Sequence, residues 1–281
     1  MNAATLSLLL FALGQVPPPA DDAGRVAERT EQLKLFTEKS AEIELRRGTE
    51  APFTLVKEPV LRYSNAEREI GSLDGGTYIW LDGARPVTVV SFSVRRQGNA
   101  VYRECTSLSK TPLVCQVGGT PVWSPKQGGL LDQPLADAPP PAASKPLRLT
   151  QLRAAARRFT AACYHPRSGE PTELRLLTQP LYRYDDEKKG LLDGAVFAFV
   201  VSNDPELLLV LEAVRPEGGA ASWRYSLARM SSLKETVRLD GKEAWTVSNF
   251  YQDPAEDRRT GPYIEGRIGV FNAPATDQKS K

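Results

Sequence analysis

The sequence predicts an α+β protein of two tandem repeats, each an N-terminal helix packed on an antiparallel meander sheet of about five to six strands. Three observations carry this. The stretch LVKEPVLRYSNAEREIGSLDGGTYIW, from Leu55, is echoed by LLTQPLYRYDDEKKGLLDGAVFAF, from Leu176. A polar helix with one apolar stripe precedes each echo. Short apolar runs broken by turn residues follow it. A unit this long that occurs twice is a duplicated domain rather than a solenoid array.

At the N-terminus, ATLSLLLFALG is too short to span a bilayer as a helix, which takes about 20 apolar residues. It fits the core of a secretory signal peptide over residues 1–14, with small residues at Ala12 and Gly14, although no Lys or Arg precedes it. A flexible, Pro-rich segment over 15–24 leads to the first repeat, residues 25–125. Its helix carries the stripe Val26, Leu33, Phe36 and Ile43. The strands that follow are PVLRYS, TYIWL, PVTVVSFSV, AVYRECTSL, PLVCQV and PVWS.

Residues 126–146 form a Pro/Ala-rich linker. The second repeat, 147–248, is entered by a helix that starts near Ser144 or Lys145-Pro146, because Pro suits a first helical turn. Its stripe is Leu149, Leu152, Ala156, Phe159 and Cys163. PLYRY, AVFAFVV, ELLLVLEAV, SWRYSLARM, ETVRL and EAWTV supply its strands. Alternation puts Tyr78 and Trp80, like Phe197 and Phe199, on the helix-facing side. Leu207 to Leu211 are apolar at every position, so that strand is buried on both faces or lies where the repeats meet, with Val87 to Val90 as its counterpart. A C-terminal extension, 249–281, offers an edge strand at Tyr263-Ile264 and Ile268 to Phe271, then a polar, disordered end.

At these residues the chain resembles a family of uncharacterised exported proteins of Planctomycetes-type bacteria with an internal duplication. The residues that carry the resemblance are LRLLTQPLYRYDDEKKGLLDGAVFAFVVSNDPELLLVLEAV and WRYSLARMSS. It runs from the first helix to Trp245 and implies export and the duplicated fold, with no assigned activity. Members often carry histidines where Arg103 and Thr106 stand here, so a metal or proton-transfer role for such histidines does not carry over.

Little chemistry is legible. Lys plus Arg total 36 and Asp plus Glu 34, a balance with no footprint for nucleic acid. His165, the one histidine, reads as a loop residue held by Pro166. No Gly-x-Ser-x-Gly elbow or phosphate loop is present, and Gly75-Gly76 and Gly118-Gly119 read as hairpin turns. Asp185-Asp186-Glu187 reads as solvated loop charge, and Arg153, Arg157 and Arg158 as a basic patch on the outer face of the second helix. If SLSKTPL is a hairpin turn, Cys105 and Cys115 face each other, either bridged or as two thiols. Cys163 is a buried core thiol.

The positions repeated in both copies are Arg62, Asp74 and Trp123, matched by Arg183, Asp193 and Trp245. Their recurrence points to structure rather than catalysis, with the Asp-Gly pairs as turns. No catalytic, cofactor or metal residues are assigned. The expected function is an exported binding or structural protein of the cell envelope. Its partner is an unknown protein or envelope ligand, not nucleic acid, and no membrane span remains after signal removal. The alternative is a hydrolase-like enzyme with a site in the groove between the repeats.

Overall fold

The computed structural model describes residues 20–65, 72–95, 97–252 and 258–272. The expected signal peptide, the first half of the segment read as flexible and the polar C-terminal end fall outside them, and the second half of that segment, 20–24, is helical instead. In chain order the elements are α1 (Ala20–Ala41), β1 (Ile43–Arg46), β2 (Thr54–Leu55), β3 (Leu61–Tyr63), β4 (Ser72–Asp82), β5 (Arg85–Arg95), β6 (Ala100–Ser107), β7 (Val114–Val117), β8 (Thr120–Trp123) and β9 (Gln133–Pro134). The second half holds α2 (Lys145–Ala156), β10 (Phe159–Tyr164), β11 (Pro171–Leu176), β12 (Tyr182–Asp186), β13 (Leu191–Val201), β14 (Asp204–Val214), β15 (Ser222–Arg229), β16 (Lys234–Leu239) and β17 (Lys242–Val247). β18 (Tyr263–Val270) follows, at the edge-strand position read from the C-terminal extension.

Over the described residues the protein is mostly β, with two α-helices and three antiparallel sheets, so the α+β expectation understates the strands. One sheet runs β17-β16-β10-β11-β13-β14-β15-β9, with β12 also on β13, and curls into an eight-strand half-barrel. The others run β8-β7-β1 and β18-β6-β5-β4-β2, with β3 also on β4. Neither half is a pure meander: β7 returns to pair with β1, and β16 with β10. The halves differ where β10 and β11 pair over four positions, whereas β1 meets only Phe53, the residue before β2, through Phe53 N to Leu45 O at 2.7 Å.

Both helix stripes run too far in the sequence reading. α2 starts at Lys145 after Ser144, with Pro in its first turn, but ends at Ala156. Phe159, Ala161 and Cys163 are buried on β10, alternating with Thr160, Ala162 and Tyr164. Spacings of three and four blend into spacings of two at such a junction, and the β-forming Phe, Thr, Cys and Tyr decide it. Ile43 likewise belongs to β1. On α1 the buried line is Gln32, Phe36 and Ser40, while Val26 is exposed. The helix packs on β4 and β5 along this line, with Phe36 stacked on Phe92, and Thr37 Oγ1 meets Tyr78 Oη at 3.0 Å.

Three apolar cores result. Phe36, Tyr78, Trp80 and Phe92 fill the first half. Leu152, Phe197, Phe199, Leu207, Leu209 and Leu211 fill the half-barrel under α2. Ile79 and Val89 meet Val196, Val200, Leu208 and Val210 in a third core between the halves. Thus β14 is buried on both faces, as its unbroken apolar run demands.

Candidate binding site

The half-barrel does not close. One of its edges is β17; at the other, β15 carries β9 only at Arg224–Pro134 and Tyr225–Gln133. A cavity of about 460 Å³ opens at this seam. Tyr225, Leu227 and Arg229 of β15 face Trp245 and Val247 of β17 across it, and Thr106, Ser107 and Tyr263 close it from the first half. Its size and its mixed lining of apolar and polar side chains suit a ligand. The Arg229 guanidinium donates through Nε to Ser231 O and through Nη2 to Leu233 O at 2.8 Å each, with the Tyr263 ring 5.0 Å away, while its Nη1 is buried without a hydrogen-bond partner among the described residues.

Behind the seam lies an acidic node that the sequence reading missed. Glu104 and Glu265 stand opposite each other in the β6–β18 register. Tyr263 Oη donates to Glu104 Oε1 at 3.0 Å, and Glu265 is ion-paired to Arg95, whose guanidinium lies 3.6 Å from the Tyr102 ring centre. Burial, then the Glu265 carboxylate, pushes the Glu104 carboxyl well above its usual range. Burial also pushes Tyr251 up to about 12. The folded state therefore holds the Glu104 proton after the unfolded chain has released it. Its stabilisation is complete below the ordinary carboxylate range and is lost as pH rises through the raised folded value. The urea midpoint of the wild type is expected to fall from mildly acidic to alkaline pH, and that of Glu104→Gln to fall less; equal slopes would refute this.

The repeated arginines and aspartates come together within each half. Asp193 takes Arg183 Nε at 2.9 Å and Nη2 at 2.6 Å, and Arg148 Nε at 3.0 Å. Arg148, unmarked in the sequence reading, is 4% exposed and also donates to the carbonyls of Ala142, Ala143 and Leu192. In the first half Arg62 lies 3.5 Å from Asp74 at the rim of a surface cavity that Arg29 also lines. Burial raises Asp74 above its ordinary value against the pull of Arg62 and Arg29.

The turn reading of the Asp-Gly pairs does not hold. Asp74-Gly75 lies within β4 and Asp193-Gly194 within β13. Each glycine lies under a tyrosine ring: a Cβ on Gly75 would fall 2.1 Å from Tyr63, and one on Gly194 2.7 Å from Tyr184. Both phenols reach across the sheet, Tyr63 to Ser91 Oγ at 2.6 Å and Tyr184 to Glu212 Oε1 at 2.7 Å. Gly118-Gly119 does form the turn between β7 and β8, with both φ positive.

The hairpin expected around SLSKTPL is absent, because β6 pairs with β5 and β18 while β7 pairs with β1 and β8. Cys105 and Cys115 nevertheless meet in the first-half core as free, fully buried thiols. Cys163 is buried on β10. His165 sits in the exposed β10–β11 turn, its Nδ1 accepting from Ser168 N at 3.1 Å. Asp185 pairs with Lys145 and Asp186 with Lys189. Arg157 and Arg158 follow α2 rather than lying on it, and Arg158 grips Asp240 at 2.6 Å. Trp123 Nε1 donates to Gly261 O at 2.9 Å, while Trp245 packs half-buried on the half-barrel core. Among the described residues no group of three or more His, Cys, Asp or Glu could hold a metal, and no helix is long and apolar enough to cross a membrane.

No family model, curated protein or solved structure matches this chain.

Proposed function

We propose that this chain is an exported, non-catalytic binding or structural protein of the cell envelope, built from two tandem copies of one helix-plus-sheet unit. The observation that carries the reading is the filling between the halves. Valine, leucine and isoleucine occupy the place where a catalytic groove would lie. The duplication draws support from the matching strand orders, β2-β4-β5-β6 against β11-β13-β14-β15, and from the Arg-Asp pair and Tyr-over-Gly contact in each half. Export rests on the apolar segment ATLSLLLFALG.

A hydrolase-like enzyme remains the competing reading. Glu104, with its raised proton affinity, is the group it would use. Tyr263 donates to that carboxyl and Glu265 faces it in the β6–β18 register, and Glu104 does not line the seam cavity. A pull-down from envelope extracts is expected to recover one stoichiometric partner. Turnover of a screened substrate panel, abolished in Glu104→Gln, would replace this reading with the enzymatic one.

A further inference from the structure

We propose that the seam between β15 and β17 binds an extended peptide segment of a partner protein, which adds to β15 as an antiparallel strand and seats an apolar side chain in the cavity. The inference rests on the binding reading above and names its surface.

Main-chain direction is the first argument. Leu135 N donates to Trp223 O at 3.0 Å, so the polar groups of Trp223 face β9. Alternation along a strand turns those of Tyr225, Leu227 and Arg229 the same way. Thr106 Oγ1 donating to Arg229 O at 2.7 Å, and Met230 N donating to Glu206 O on the opposite side, agree with that phase. Gln133 pairs with Tyr225, and there the β9 ladder ends. At Asp132 the chain has left the ladder, held by Ser226 Oγ at 2.9 Å. Leu227 is thereby left with its N–H and C=O turned into the seam, facing no strand among the described residues. Such a pair of groups is the template to which an added strand pairs.

The first half shows how the corresponding edge is used. There β6 carries an antiparallel strand, β18, from Tyr263 to Val270. On β15 the same edge carries a strand only at Arg224 and Tyr225, with Trp223 O and Arg229 O taken by Leu135 N and Thr106 Oγ1. An added strand would continue the β9 ladder. Its inward side chains would meet Tyr225, Leu227, Trp245 and Val247, and Leu131, 76% exposed, stands at the mouth. Main-chain pairing would supply affinity, and the cavity would select a large apolar residue.

The test selects phage-displayed random linear peptides on the full-length chain and measures the synthesised winners by fluorescence polarisation. Leu131→Asp and Trp245→Ala are each expected to weaken binding about tenfold; Leu131 is exposed enough that its variant tests the site even if Trp245→Ala fails to fold. N-methylation of the peptide is expected to abolish binding at one alternating set of amides and spare the other set. Amide exchange at Leu227, whose N–H faces the seam, is expected to slow on binding. Peptides that bind both variants as well as wild type would overturn the seam as the site while leaving a binding function intact. Failure to select any peptide, self-association of the chain through this edge, or occupation by a small apolar dye that no peptide displaces would each overturn the proposal.

Discussion

Replacing Asp193 with alanine is expected to destabilise the protein by about 3–5 kcal/mol, the usual cost of removing one partner from a buried ion pair. Its carboxylate is 1% exposed and holds two guanidinium groups, of which Arg148 is 4% exposed and beyond the reach of solvent. The change leaves that charge buried among carbonyl oxygens, with the exposed Glu187 carboxylate at 3.9 Å as its remaining counter-charge. Asp74→Ala provides the contrast. Its partner Arg62 has a side chain 45% exposed that water can serve, and Asp74 ionises at a cost already. A loss of at most about 1 kcal/mol is expected there. Urea unfolding of the two variants measures the difference; equal losses would mean that Arg148 does not depend on Asp193.

Gly75→Ala and Gly194→Ala test the second device. A methyl group on Gly75 would stand 2.1 Å from the Tyr63 ring, and one on Gly194 2.7 Å from Tyr184. Neither ring can swing aside cheaply, since Tyr63 is 3% and Tyr184 5% exposed and each phenol is hydrogen-bonded across the sheet. Overpacking of this kind costs about 1–3 kcal/mol, and Gly75→Ala is expected at the upper end. The double variants Tyr63→Ala/Gly75→Ala and Tyr184→Ala/Gly194→Ala should lose less than the sum of their single changes. Strict additivity would show that ring and glycine are not coupled.

These two devices also show where the sequence could and could not be read. The recurrence of Arg, Tyr, Asp and Gly at matched positions was visible, but Asp-Gly is so strong a turn signal that its place inside a strand was not. A glycine in a strand signals close approach as well as a turn, and the tyrosine upstream in both halves was the available clue. The double burial of β14 was legible because an apolar run at every position leaves no solvent face. α2's start was legible from Pro146, whereas its end was not, since Phe159 and Cys163 satisfy both periodicities. The pairing of β7 with β1 joins residues far apart in sequence, and local turn signals carry no trace of it. Arg148 gave no signal of its own: an arginine in a first helical turn looks solvated until the packing is known.

The strand β14 lends one face to each of two cores, and this limits how the chain can be divided. Cut after the linker, the second half would carry Val196, Val200, Leu208 and Val210 into water as one continuous oily wall. Neither half is then a free-standing module that could be shuffled between proteins. If the halves descend from one ancestral unit, that unit had to cover the same wall, most simply by pairing with its twin.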